Sequence, residues 1–335
     1  MKAKLISQVE QKRIVLQDEI PLKTPLVIYT EPSGYCNLRC KFCPQSSPTK
    51  ELKKDMMTVN TFKKSIDDLL EFPDKINLLR VCGNGEPLMN KNILEMLQYA
   101  KEKDITKKIV LVSNGLLLND NLIKNIPKYI DEMVISIEGL NSNDYQQVCE
   151  RKADFNGLIK NLNKLYKNKK ECSLYIKTHH RAINSKIDEL KFMNMFENIC
   201  DKIFIEKLVP IWNEFKSVYN QNEFRYEREE IVKKQVCPQI FKGLQIMANG
   251  EVLPCCVDWK RYNKLGNLNE ISISDIWNGR KLRELQIKHL NGEKDNIKPC
   301  KSCSMNDYSE VDNLDSYKDK CLNKILKNEK DITFC

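Results

Sequence analysis

The stretch LVIYTEPSGYCNLRCKFC, residues 26–43, runs from a compact apolar segment straight into three closely spaced cysteines. Leu26-Val27-Ile28-Tyr29-Thr30 predicts a short strand. Runs of the same kind return at Ile76–Val81, Ile109–Val112, Met133–Ile137, Leu174–Ile176 and Ile203–Ile205. Helical stripes lie between them. Phe62, Ile66, Leu69 and Leu70 mark a helix over Thr61–Leu70, and Ile93, Leu94, Leu97 and Ala100 mark the next. Leu122–Ile126 begins a third, and Leu158, Leu162 and Leu165 form a fourth. The last covers Ile187–Ile199, with Leu190, Met193 and Phe196 expected on one face. Short apolar strands alternating with amphipathic helices predict a parallel sheet with helices outside it. The fold class is therefore α/β, a partial (β/α)6 TIM-like barrel followed by a small cysteine-rich domain.

The chain has 335 residues, enough for one large domain and a smaller one. Hydrophobic residues make up 41% and charged residues 30%, a globular balance. No apolar run approaches the ~20 residues of a membrane span. The start, MKAKLISQVEQKRIV, is charged throughout and lacks the apolar core of a signal peptide. The expectation is a cytoplasmic protein with no membrane partner. A net charge of +9 comes from lysines spread beside Asp and Glu, which reads mainly as a solvated surface. A basic groove for an anionic or peptide substrate stays open. Aromatic residues are not interleaved with the lysines, so no nucleic-acid partner is expected. Fourteen cysteines in a reducing compartment point to metal binding rather than disulfides.

Residues 1–24 read as an N-terminal extension and 25–210 as the barrel. The strand–helix alternation stops near Pro210, and the highly charged residues 211–236 read as a linker or surface helix. Residues 237–335 form the cysteine-rich domain with a C-terminal tail.

Cys36-Asn-Leu-Arg-Cys40-Lys-Phe-Cys43 places three residues and then two between its cysteines. Three thiolates so close can hold three irons of a [4Fe–4S] cluster and leave the fourth open for reaction. The spacing alone also suits a zinc site, or a structural cluster with a distant fourth ligand. The motif resembles the signature of the radical S-adenosylmethionine (SAM) superfamily, with Phe42 as the aromatic residue before the last cysteine. That resemblance implies that the open iron binds the amino and carboxylate groups of SAM. Reductive cleavage then yields a 5′-deoxyadenosyl radical, which abstracts hydrogen from a substrate. It also assigns Gly83-Asn84-Gly85-Glu86-Pro87 to the methionyl amino group, with Asn84 where the family has its first glycine. Glu86 suits an ammonium, being an acceptor-only carboxylate. Asn114 in Ser113-Asn114-Gly115 and Ser136 in Ser136-Ile137-Glu138-Gly139 end strands three and four, where the family contacts ribose and carboxylate. Arg151 resembles the arginine that pairs with the methionyl carboxylate. All lie where a β/α barrel keeps its chemistry, at the C-terminal strand ends.

The second cluster comprises Cys237, Cys255-Cys256 and Cys300-Lys-Ser-Cys303. A Cys-x-x-Cys pair with two distant cysteines is a full set for one cluster, or for a zinc ribbon. The stretch resembles SPASM domains and the shorter twitch form found in 2-deoxy-scyllo-inosamine dehydrogenases. By that pattern Cys237, Cys255, Cys300 and Cys303 hold one auxiliary [4Fe–4S] cluster. Cys321 comes late and alone, and Cys82, Cys172, Cys200 and Cys335 lack spacing partners. Cys256 reads as a buried small residue, a replacement ligand or a hydrogen donor, and Cys149 lies near the expected active face. His179, His180 and Asp258 are candidates for a base or substrate anchor.

The favoured activity is radical oxidation of a small polyol or amino-sugar-like substrate, with the auxiliary cluster taking one electron. A one-electron reductant such as flavodoxin or ferredoxin is the implied partner. The rival is a peptide-modifying enzyme, an epimerase or crosslinking maturase. A non-enzymatic iron–sulfur protein is the third reading, and the Glu86 motif argues against it.

Overall fold

The computed structural model describes residues 3–5, 14–47, 49, 51–183, 185–206, 208, 211–212, 214–215, 233–307 and 312–332. Most of the expected 211–236 linker, and Cys335, fall outside the described residues.

Ten strands form one sheet. β1 (Lys4–Leu5) precedes six parallel strands: β2 (Val27–Thr30), β3 (Leu78–Val81), β4 (Ile109–Ser113), β5 (Glu132–Ile137), β6 (Ser173–His179) and β7 (Lys202–Glu206). These six are the runs expected from the sequence. β8 (Gly243–Ile246), β9 (Glu251–Leu253) and β10 (Gly266–Asn267) come from the cysteine-rich region. The order is β1-β7-β6-β5-β4-β3-β2-β8-β9-β10, parallel from β1 to β8 and antiparallel from β8 to β10. The barrel is thus open, and β8 extends it by pairing with β2. A side chain at Gly243 would collide with the Val27 carbonyl, so glycine permits this approach.

The helices are α1 (Leu16–Glu19), α2 (Val59–Asp68), α3 (Ile93–Lys103), α4 (Asp120–Asn125), α5 (Ser142–Cys149), α6 (Phe155–Asn168), α7 (Lys186–Phe196), α8 (Ile273–Asn278), α9 (Arg280–Leu290) and α10 (Lys318–Ile332). Side-chain caps fix several starts: Thr58 for α2, Asn119 for α4, Asp154 for α6 and Ser185 for α7. Outward strand residues such as Ile28, Leu79, Leu111, Ile135 and Ile176 pack on Phe62, Leu97 and Leu162. The alternate residues face inward, where Leu78, Val110, Val112, Val134, Tyr175 and Phe204 make a separate apolar layer in the lumen. α7 departs from expectation. Phe192 and Phe196 are its buried residues, whereas Leu190 is 54% exposed. Its apolar residues surround the helix, so periodicity alone does not choose the face.

The N-terminal segment joins the far end of the chain. Leu16 and Ile20 are buried with Val236, Ile240, Phe241, Leu314, Cys321 and Ile325, and the Trp277 indole donates to the Leu22 carbonyl. Cys321 is thereby a core residue, as Cys172 and Cys200 are in the barrel.

Candidate functional site

The Cys36–Cys43 loop is held by donors from its surroundings. Gln45 Nε2 donates to the carbonyls of Gly34 and Asn84, both at 2.8 Å. Asn90 Nδ2 donates to those of Pro32 and Met57. The end of α5 docks on the loop, its Cys149 and Val148 carbonyls accepting from the Arg39 and Lys41 amides at 3.0 Å. Burial pushes the Cys36 thiol up to about 12 and Cys43 up to about 11. Cys40 also lies well above its ordinary value, through its contact with Cys149 and through burial. Thiols so placed keep their protons unless a cation replaces them, and a metal does so on coordination. Among the described residues no three His, Cys, Asp or Glu side chains converge on a single ion. A [4Fe–4S] cluster asks for less, because the thiolates face one cluster but each takes a different iron, so they stand further apart than the ligands of one ion. The donor set therefore fits a cluster better than a zinc ion. The Cys149 thiol, fully buried, lies 3.4 Å from that of Cys40 and packs against the ligand loop.

The loop after β3 sits on this one. A side chain at Gly85 would fall far inside contact distance of the Ser33 and Tyr35 carbonyls, so only glycine allows the approach. Glu86 is buried. Its carboxylate accepts from Leu88 N at 3.0 Å, Ser113 Oγ at 2.7 Å and Asn114 N at 2.8 Å. Burial raises its pKa and these donors oppose the rise. A carboxylate has about four acceptor sites, so one remains for an ammonium. Asn114 Nδ2 reaches Asn37 Oδ1 at 2.8 Å, tying the end of β4 to the cysteine loop. Ser136 faces the lumen opposite Lys177 in the β5–β6 register. Arg151 is exposed after α5 and donates to the neighbouring Glu150 carbonyl; the structure does not bring it to Glu86.

His179 Nε2 lies 3.0 Å from Glu138 Oε2, both residues buried. The Ala182 amide donates to His179 Nδ1, which assigns the ring proton to Nε2, facing Glu138. Phe42 stacks edge-on against this ring, centroids 5.1 Å apart, so the dyad borders the cysteine loop. His180 sits in the following turn and accepts from the Leu208 amide. Asp258 is engaged otherwise: its carboxylate accepts from the amides of Tyr262 and Asn263 and from Asn263 Nδ2, the pattern of a loop anchor.

Cys237, Cys255, Cys300 and Cys303 line one cavity with apolar Ile240 and Val257. Each thiol is pushed up by burial, Cys300 to about 12 and Cys303 to about 11. Asn306 Nδ2 donates to Cys237 Sγ at 2.7 Å. Residues more than sixty positions apart thus line one cavity with four thiols, a donor set that suits one fully ligated cluster.

Cys256, next in the chain, turns the other way. Its strongest electrostatic neighbours are Cys82 and Arg80, with Cys303 after them, and it also acts on Tyr29. Lumen-facing Arg80, Cys82, Lys177 and Glu206, with Glu138 beyond them, were not singled out from the sequence. Lys177 and Glu206 pair at 2.7 Å. A charged residue inside an apolar strand, as in Leu78-Leu79-Arg80-Val81, was the available signal.

The family model described as Radical SAM superfamily matches residues 30–187, and the SPASM model, an iron–sulfur cluster-binding domain, matches 237–304. A tungsten-containing aldehyde ferredoxin oxidoreductase cofactor-modifying protein of Pyrococcus furiosus is 23% identical over 84% of this chain and 87% of its own length. A GTP 3′,8-cyclase of Peptoclostridium acidaminophilum is 30% identical over 34% of each chain. Among solved structures, BtrN with AdoMet and 2-DOIA gives a TM-score of 0.57 at 19% identity, covering 84% of this chain and 93% of that one. Native anSMEcpe with AdoMet and Cp18Cys peptide gives 0.58 at 17% identity, covering 91% and 98%. Both share the fold.

Proposed function

The chain belongs to the radical SAM superfamily and carries a SPASM iron–sulfur domain, and we propose that it oxidises a small polyol or amino-sugar-like substrate at the barrel mouth. The observation that carries this reading is the ring of four cysteines around one cavity, one residue from the lumen through Cys255-Cys256. A set that leaves no iron open suits electron acceptance rather than substrate ligation. When bound, the clusters and SAM supply a hydrogen-abstracting 5′-deoxyadenosyl radical at the barrel and a one-electron acceptor at the second site. Cys36, Cys40 and Cys43 hold the first cluster. Glu86 would offer its remaining acceptor site to the ammonium of SAM, with Asn114 beside it and Ser136 on the lumen face of β5. The His179–Glu138 pair borders this site, and Glu138, whose carboxylate keeps acceptor capacity beyond the His179 N–H, would take the substrate proton. It is favoured over His180, which sits in a turn, and over Asp258, whose carboxylate already accepts three N–H donors. The Lys177–Glu206 pair presents both charges to substrate hydroxyls or amines.

A second reading is supported by Cys256. Its thiol interacts with lumen-facing Cys82 and Arg80, on the side where an epimerase would need a hydrogen donor, whereas Cys149 is packed behind the ligand loop. One experiment separates the two. Cys300→Ala with Cys303→Ala is expected to spare SAM cleavage and abolish oxidised product, provided circular dichroism shows the fold retained. Normal product at the normal rate from the folded double variant overturns the electron-acceptor role. An epimer carrying solvent deuterium, lost in Cys256→Ala, replaces oxidation by epimerisation.

A further inference from the structure

We propose that Arg80 is the specificity-determining residue of the barrel lumen and binds an oxyanion, a carboxylate or phosphate, of the substrate. This rests on the reading that the barrel mouth holds the substrate, and it narrows that substrate to one carrying an acid group.

Arg80 stands on β3, facing inward, directly above the apolar layer of Leu78, Val110 and Val112. It stands opposite Tyr29 in the β2–β3 register, and its charge interacts with Cys82 and Cys256. Among the described residues no carboxylate pairs with it. Of the lumen's acids, Glu206 is taken by Lys177 at 2.7 Å. Glu138 is taken by His179 at 3.0 Å, and Glu31 accepts from the Asn84 amide at 2.7 Å and faces Arg261. Lys177 itself acts on Cys82, so two cations and one paired acid share this end of the lumen.

A guanidinium partly withdrawn from water and given only neutral neighbours among the described residues costs the fold stability. Such a group is retained where a ligand supplies the missing charge. Its planar fork matches carboxylate and phosphate geometry in two parallel hydrogen bonds. Arg80, Cys82, Tyr29 and Lys177 are each only partly buried, so the position is reachable from the open end of the barrel. The apolar layer beneath closes the floor and excludes competing water. An acid group on Arg80 would set the depth of the substrate, and so which of its carbons meets the site bordered by Glu86 and His179.

The test uses the reconstituted protein with both clusters and SAM present. Thermal unfolding is followed in acetate, succinate and inorganic phosphate, each against chloride at equal ionic strength. At least one oxyanion is expected to raise the wild-type Tm above chloride. Arg80→Met, similar in volume and uncharged, is expected to weaken that binding at least roughly tenfold. In chloride alone it should melt no lower than wild type, because it removes an uncompensated charge. If Arg80→Met does not fold, Arg80→Lys, which keeps the charge and loses the fork, is expected to show a reduced oxyanion shift. No oxyanion-specific shift in wild type, or an undiminished shift in the folded variant, overturns the proposal. SAM cleavage by wild-type protein is measured separately. Cleavage without a shift sinks this inference alone, and a shift without cleavage sinks the radical reading alone.

Discussion

Glu86 shows how one side chain joins three loops. Its carboxylate collects Ser113 Oγ and two backbone amides, so it is preorganised with a single acceptor direction left. Its backbone amide donates to the Tyr35 carbonyl at 2.8 Å, which sets its distance from the cysteine loop. Gly85 makes that contact possible. Gly85→Ala is expected to force the two loops apart and cut SAM cleavage by tenfold or more, since misplacement on the ångström scale costs on the order of 100-fold in rate. Chromatography of 5′-deoxyadenosine under anaerobic conditions measures it. Wild-type cleavage by the alanine variant would show that the approach is dispensable.

At the level of elements, the cysteine-rich region depends on the chain's first residues. α1 and α10 meet in one apolar cluster, with Leu16 only 1% exposed and Cys321 and Ile325 fully buried. The same cluster holds Val236 and Ile240, which flank Cys237. Leu16→Ala leaves a cavity there and is expected to cost about 2–5 kcal/mol. The loss should fall on the auxiliary site: chelator removes its iron faster, while the iron bound by Cys36, Cys40 and Cys43 leaves at the wild-type rate. Equal loosening of both pools would place α1 in the barrel's stability instead.

Across the whole molecule, the barrel and the cysteine-rich region share one sheet and one buried charge cluster. Arg261 reaches Glu251 at 2.7 Å, Asp55 at 3.5 Å and Glu31 at 4.0 Å. Burial raises Glu31 from 4.5 to about 7, against the pull of the Asn84 amide and Arg261. Between those values the folded protein holds a proton that the unfolded chain has released. The contribution of Glu31 to stability is therefore full below about pH 4.5 and is lost as pH rises through about 7. Glu31→Gln is expected to remove that fall, on the order of 3 kcal/mol. Urea midpoints measured across this interval for both proteins check it; parallel pH profiles would count against a buried, protonating Glu31.

The six barrel strands, most of their helices and the cysteine spacings were legible in the sequence, because each is local. A run such as Ile109–Val112 declares itself by its own apolarity, and three cysteines within eight residues are brought together by chain length alone. Which neighbour a face meets is not local. Leu190 looked like core and is exposed, because α7 is apolar on several sides and only the sheet selects Phe192 and Phe196. Leu16 and Ile20 looked unpatterned because their partners lie near residues 236–241 and 314–325. The sequence by itself determined the α/β alternation and the two cysteine sets. Tertiary structure alone decided that β8 continues the barrel from β2, that Cys255 lines the thiol cavity while Cys256 interacts with Cys82 and Arg80, and that among the described residues no carboxylate pairs with Arg80. Those outcomes depend on which side of a strand or turn a residue occupies against segments up to two hundred positions away. Long-range packing fixes that choice, and local propensity does not encode it.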